Sequence, residues 1–195
     1  MINIYLYSKK QLISNPLLPN NIIAHCAIYK NKELQLISKN NYYYLEKILT
    51  KQYNNTISNI YFTNFGKPII NDKLFLSLSH TSSYFGFAIN DISSIGFDIE
   101  NINRVKSKFS HYILNEDEKV QYYKAQNKNL YLAIKWCEKE ALGKLNGSGI
   151  NKRILKLTAP YKFTYQIDNN TVLVLVSNHK MESINLYLNN ELINI

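Results

Sequence analysis

Two short stretches of this sequence hold residues whose types and spacing suit chemistry. The first is "IGFDIE" (95–100). Side chains alternate faces along a strand, so Gly96, Asp98 and Glu100 share one face, and Ile95, Phe97 and Ile99 share the other. Carboxylates two residues apart lie about 6.5–7 Å apart at the backbone, and side chains of unequal length close that gap onto one hard cation. Gly96 leaves room for something to approach the strand. The same pattern also suits a half-exposed edge strand whose acids face water. The second stretch is "WCEKEALGK" (136–144). On a helix, Trp136, Glu140 and Lys144 share a face that borders the apolar stripe. One reading is an amphipathic helix with a Glu140–Lys144 pair worth a few tenths of a kcal/mol. The other is that Glu140 adds a third acid to Asp98 and Glu100. Mg²⁺ takes oxygen ligands and leaves room for waters and substrate phosphates. Lys139 or Lys144 would then meet a phosphate as a point charge.

"FLSLSHT" (75–81) adds His80 beside two serines at a strand end. A histidine there is either structural or a hydrogen-bond donor to phosphate. The sequence has no nucleophile elbow, P-loop or dinucleotide fingerprint.

The elements that must position these residues follow from periodicity. Segments 2–7, 58–63, 73–80, 84–90 and 93–100 read as strands. In 40–53, Tyr44, Leu45, Ile48 and Leu49 form a helical stripe. "NFGKP" (64–68) is a turn. Segment 114–126 opens with an asparagine followed by acids, which is a helix start. Segment 129–145 is the strongest helix, with Leu130, Ala133, Ile134, Cys137, Ala141 and Leu145 on one stripe, and "NGSGI" (146–150) ends it. Segments 161–167, 171–177 and 183–188 read as three strands in a meander. The order predicts an α+β fold of two similarly built halves, 1–95 and 96–195.

The chain has 195 residues and a net charge of +9. That length supports a sizeable core. The positive charge favours polyanionic partners (nucleic acid, anionic membrane, nucleotide-like substrates or acidic proteins) without choosing among them. Its lysines form no basic tail. Cys26 and Cys137 have no metal-ligand spacing and read as reduced thiols of a cytoplasmic protein. No signal peptide or transmembrane run is apparent.

Four blocks occur in a known order: "FGKP" (65–68), "SLSHT" (77–81), "IGFDIE" (95–100) and "WCEKEALGK" (136–144). With them the sequence resembles the 4′-phosphopantetheinyl transferases of the surfactin-synthetase-activating type. The resemblance implies a pseudo-dimer of two α+β halves with the site at their interface, acting as a monomer. It implies transfer of the phosphopantetheine arm of coenzyme A to a serine of an acyl or peptidyl carrier protein, releasing adenosine 3′,5′-bisphosphate. Carried over by position, Asp98, Glu100 and Glu140 are the Mg²⁺ ligands. His80 and Ser79 meet coenzyme A phosphate, and Lys67 lies near the adenine end. Lys139 and Lys144 are coenzyme A contacts, with Lys144 the better candidate for the pyrophosphate. Glu118, with Glu116 as its neighbouring alternative, is the expected general base. Phe97 departs from the usual aliphatic residue, and Thr81 from serine. Lys39 is the only residue suggested for the 3′-phosphate. An acidic carrier suits the basic chain. Two other readings stay open: a relative that binds coenzyme A without transfer, and a nucleic-acid-binding module whose tyrosines stack on bases.

Overall fold

The alternating and 3.6-period segments become strands and helices in the computed structural model, which describes residues 1–71 and 73–194. In chain order the elements are β1 (Ile2–Ser8), α1 (Asn20–Cys26), α2 (Lys32–Tyr53), β2 (Tyr61–Phe62), β3 (Pro68–Ile69), β4 (Phe75–His80), β5 (Tyr84–Asn90) and β6 (Ile95–Asn101). They continue with α3 (Ser110–Ile113), α4 (Glu116–Lys124), α5 (Lys128–Asn146), α6 (Lys152–Lys156), β7 (Tyr161–Asp168), β8 (Thr171–Ser177), β9 (Ile184–Leu188) and β10 (Glu191–Ile193). The fold is mixed α+β. Its contacts divide it into two units, one of Met1–Ser93 with Glu182–Ile195, the other Ser94–Met181.

The first unit carries a five-stranded sheet in the order β10-β9-β1-β5-β4. Helix α2 begins earlier than its apolar stripe suggests, because the Asn31 side chain accepts from the N–H groups of Glu33 and Leu34. Tyr44, Leu45, Ile48 and Leu49 are buried, as the stripe predicts. Tyr7 of β1 stacks on Tyr44 with ring centroids 4.0 Å apart. The strand expected over 58–63 shrinks to Tyr61–Phe62, because residues 57–59 form a 3₁₀ turn. The Glu46 carboxylate accepts the Ile57 N–H at 2.6 Å and holds that turn against the helix.

The C-terminal meander is corrected. β7 and β8 do form a hairpin, but β9 leaves it and pairs parallel with β1, from Ile2↔Ile184 to Leu6↔Leu188. Alternation along 183–188 marks a strand but not its neighbour, because β1 offers an equally apolar edge. The tail therefore belongs with the first unit.

The second unit has the antiparallel sheet β6-β8-β7, with α5 packed on β6 and β8. The Asn127 side chain caps the first turn of α5 through the Leu130 N–H, and Gly147, at φ 66°, ends the helix in the left-handed region. Ala133, Cys137, Ala141 and Leu145 of the expected stripe are buried. Asn115 and Glu118 form a reciprocal capping box at the start of α4. Among the described residues, no helix is long and apolar enough to cross a membrane.

The reading of β6 as a half-exposed edge is also corrected. β6 is the end strand of its sheet, yet Ile95 through Glu100 are all buried. What approaches Gly96 is not a ligand but helix α5. A Cβ at residue 96 would lie 1.9 Å from the Ala141 carbonyl oxygen. Gly96→Ala should therefore destabilise the protein by at least about 2 kcal/mol through overpacking against rigid backbone. Urea unfolding of the two proteins measures this, and equal midpoints would show that the strand and helix separate easily.

Candidate functional site

Gly96, Asp98 and Glu100 line the face of β6 that α5 covers, and every acid expected from the sequence in this region comes from these two elements. The helix contributes Glu140 and Lys144. Trp136, Glu140 and Lys144 are all half-buried, which places them at the core boundary, where their spacing put them. The Lys144 ammonium does not complete a simple pair with Glu140. It crosses to the strand and donates to Asp98 Oδ1 at 2.8 Å and to the Phe97 carbonyl at 3.1 Å.

Glu100 is 1% exposed and accepts from the Asn101 N–H at 2.8 Å and from Arg104 Nη1 at 3.0 Å. Burial pushes its carboxyl above the ordinary value, opposed by the Arg104 guanidinium. Burial also raises Glu140, helped by the Asp98 charge and partly offset by Lys144. Among the described residues nothing hydrogen-bonds to the Glu140 carboxylate. Below it, the fully buried Cys137 thiol donates to Asp98; burial first, then the Asp98 charge, push that thiol well up. Cys137 is thus a packing and hydrogen-bonding residue, inert as a nucleophile.

Three carboxylates that feel one another, with two cations at their margin, make an oxygen-rich, electrostatically tense site. Among the described residues, no three His, Cys, Asp or Glu side chains are gathered as a metal cage. Sequence reasoning missed Arg104 and Cys137. The i,i+4 spacing of Glu100 and Arg104 lay in plain view, but residue 104 falls beyond the strand and helical spacing had no standing there.

Glu118 and Lys139 have a different place from the one expected. Lys139 is fully buried and donates to Glu118 Oε1 at 2.8 Å and to the Leu157 carbonyl. Lys135 donates to the same Glu118 oxygen at 3.1 Å and to Glu138 Oε2 at 3.2 Å. Glu118 Oε2 accepts the Asn115 N–H at 3.0 Å. Glu138, itself 0% exposed, also takes the Ala159 N–H at 3.0 Å and Lys162 at 2.9 Å. This is a buried ion network that ties α4, α5 and β7 together. As placed, Glu118 has both oxygens engaged by cations and backbone, and Lys139 faces inward. Glu116, the alternative base, is exposed and paired with Lys119 at 2.7 Å.

In the first unit, Lys67 sits in the expected turn, where Gly66 adopts φ 77° and Thr63 Oγ1 accepts the Lys67 N–H at 3.1 Å. Burial lowers its ammonium below the ordinary lysine value. Ser79 is buried, and its carbonyl accepts from Asn41 Nδ2 at 3.2 Å. His80 closes β4 with its ring edge-on to Tyr29, centroids 6.1 Å apart. Thr81 uses its hydroxyl locally, accepting from the Ser83 and Tyr84 N–H groups to build the turn into β5. Lys39 is half-buried on α2. Sequence reasoning passed over His25, which stacks on Phe62 at 3.7 Å beside the Gly66 turn.

Removing Glu118 should leave the Lys139 ammonium buried without its partner. Glu118→Ala is expected to lose about 3–5 kcal/mol of stability. Replacing both partners, as Glu118→Leu with Lys139→Met, should restore much of the loss. Denaturant unfolding of the three proteins reads this, and a Glu118→Ala protein as stable as wild type would contradict the anchoring role.

Residues 94–186 match the family model described as the 4′-phosphopantetheinyl transferase superfamily. The match spans the whole second unit, including every residue of the β6–α5 site. No curated protein matches the chain.

Proposed function

We propose a reaction for this chain, which belongs to the 4′-phosphopantetheinyl transferase superfamily through residues 94–186: Mg²⁺-dependent transfer of the phosphopantetheine arm of coenzyme A to a serine hydroxyl of an acyl or peptidyl carrier protein. The other product is adenosine 3′,5′-bisphosphate. The observation that carries the reading is that Asp98, Glu100 and Glu140 of β6 and α5 lie within electrostatic reach of one another, with Lys144 donating to Asp98 at 2.8 Å.

The chemistry of the donor set suits a hard divalent cation. Its oxygens are carboxylates, burial raises two of them, and among the described residues nothing donates a hydrogen bond to Glu140. Asp98, Glu100 and Glu140 would hold Mg²⁺. When bound, the ion supplies charge neutralisation across the pyrophosphate and stabilises the departing phosphate. Lys144 is the residue we assign to the phosphate oxygens, because it is the lysine of this helix face that stays part-exposed. Arg104 donates to Glu100 and opposes the rise that burial imposes on its carboxyl. Lys67, Ser79 and His80 are proposed to hold coenzyme A. Little covalent chemistry is asked of the protein: positioning and electrostatics carry the transfer. In this reading the two units are the paired halves of the fold, and the protein is a cytoplasmic monomer.

The direct test is incubation with coenzyme A, Mg²⁺ and an apo carrier protein, followed by mass spectrometry of the carrier. Wild type should add one phosphopantetheine. Glu140→Gln should slow the transfer by about 100-fold, equivalent to about 3 kcal/mol of transition-state stabilisation. No mass gain on any of several acyl and peptidyl carriers would end the proposal.

The raised carboxyls give a second test. Glu100 and Glu140 bind protons more tightly in the folded protein than in the unfolded chain. Without a divalent cation, their contribution favours folding at acid pH. It is lost as pH rises from the ordinary carboxyl value through the raised one. A cation needs the ionised forms, so the thermal stabilisation by Mg²⁺ should grow across that window. Melting temperatures with and without Mg²⁺ at about pH 5 and pH 8 measure it. A larger shift at the acid pH, or none at either, would count against the metal site.

A further inference from the structure

The Glu100 carboxylate has little acceptor capacity left. Its side chain is buried at the end of β6. Oε1 accepts the Asn101 N–H at 2.8 Å and Arg104 Nη1 at 3.3 Å, and Oε2 accepts the same Nη1 at 3.0 Å. An ionised carboxylate offers about four acceptor positions, two on each oxygen. Both positions of Oε1 are therefore taken, and Oε2 keeps one.

A tight turn brings the guanidinium there. The Arg104 N–H donates to the Asn101 carbonyl at 3.0 Å, and Asn101 Oδ1 accepts the Asn103 N–H at 3.0 Å. An asparagine side chain that bonds the backbone two residues on builds such a turn locally. Ile102 and Val105 are buried on either side of the tip, and the Ile102 N–H donates to the Asn170 carbonyl at 2.8 Å. The backbone of Arg104 is thus fixed, while its side chain is 70% exposed. Removing that side chain opens no cavity, so its effect falls on the carboxylate it covers.

How a carboxylate meets a cation depends on its open positions. Ca²⁺ takes about six to eight oxygens in flexible geometry and often grips a carboxylate by both of them. Mg²⁺ is smaller, demands near-octahedral geometry and keeps several waters, so single oxygens serve it well. With Arg104 across both oxygens, Glu100 has one position to give, on Oε2. That suffices for Mg²⁺ and denies Ca²⁺ the two-oxygen grip.

We infer that Arg104 is a specificity-determining residue: by covering both oxygens of Glu100 it confines that carboxylate to one-oxygen coordination and sets the preference of the site for Mg²⁺ over Ca²⁺. This rests on the assignment of Asp98, Glu100 and Glu140 to the cation, made above, and not on the transfer reaction.

The test is calorimetric titration of the full chain with Mg²⁺ and with Ca²⁺, each with coenzyme A absent and present. The quantity read is the ratio of the two dissociation constants. Losing the Arg104 charge acts alike on two ions of equal charge, so the ratio isolates coordination. In Arg104→Met, which keeps the stem but has no donor, the ratio should move toward Ca²⁺ by at least about tenfold. Arg104→Ala should do the same, and reads the ratio should the first variant not fold. Arg104→Lys, whose ammonium still donates, should recover most of the preference. Lys106→Ala removes a charge just past the same turn, from a side chain that bonds the Asn103 carbonyl and not Glu100, and should leave the ratio unchanged. An unchanged ratio in the Arg104 variants overturns the inference. So does an equal shift in Lys106→Ala, which would make the effect one of overall charge. If neither ion binds wild type in either condition, the inference falls together with the metal assignment. Wild type that binds and discriminates the ions but modifies no carrier would end the proposed function alone, and the ratio would still decide the role of Arg104.

Discussion

Helix α5 can lie against β6 only because residue 96 carries no side chain. The Ala141 carbonyl occupies the space a Cβ would take, 1.9 Å from its ideal position. That approach has consequences at both ends of the contact. It buries the acids at 98 and 100, which then face helix instead of water. It also brings Glu140 and Lys144 within electrostatic reach of them. A strand carrying two carboxylates on one face would normally leave that face wet. Here the packing forces the charges to find one another, because a buried charge without partners costs several kcal/mol.

The resulting site is balanced but not relaxed. Lys144 answers Asp98, and Arg104 answers Glu100, yet burial still raises Glu100 and Glu140. Such tension is common where function needs charge held ready, since shifted carboxyls gather at sites that bind cations or move protons. Among the described residues nothing donates to the Glu140 side chain. In the function proposed above, a hard cation would relieve the surplus negative charge.

A second set of charges on the same helix does the opposite work. Lys135, Glu138 and Lys139 point away from the carboxylate site and lock α5 to α4 and β7 through Glu118 and Lys162. Every member has an oppositely charged partner, so the network is satisfied where the site is strained. Neighbours in sequence therefore differ sharply in role. Lys139 is sealed inside the network, while Glu140, the next residue, interacts with Asp98 and Glu100. A rotation of about 100° per residue is enough to separate the two.

The sequence by itself determined the periodic elements and the local chemistry. The stripe of α5, the alternation of β6 and the helix-starting asparagine at 115 rest on side-chain spacing and backbone hydrogen bonding, which are local. The four ordered blocks then pointed to Asp98, Glu100, Glu140 and Lys144, and the fold brings these four into mutual electrostatic reach. What lay beyond reach was every question of which partner a group would choose. The resemblance pointed to Glu118 as a base and to Lys139 as a coenzyme A contact, and only the fold shows that the two pair with each other in a buried network joined by a second lysine. Gly96 was read as space for a ligand, and the backbone of α5 fills it. Strand 184–188 left its neighbours in sequence for β1, because edge pairing is settled by which apolar edge is free, a property of the assembled sheet. Tertiary structure alone sealed Lys139 against Glu118 and the Leu157 carbonyl, since that contact depends on how separate segments fold back on one another.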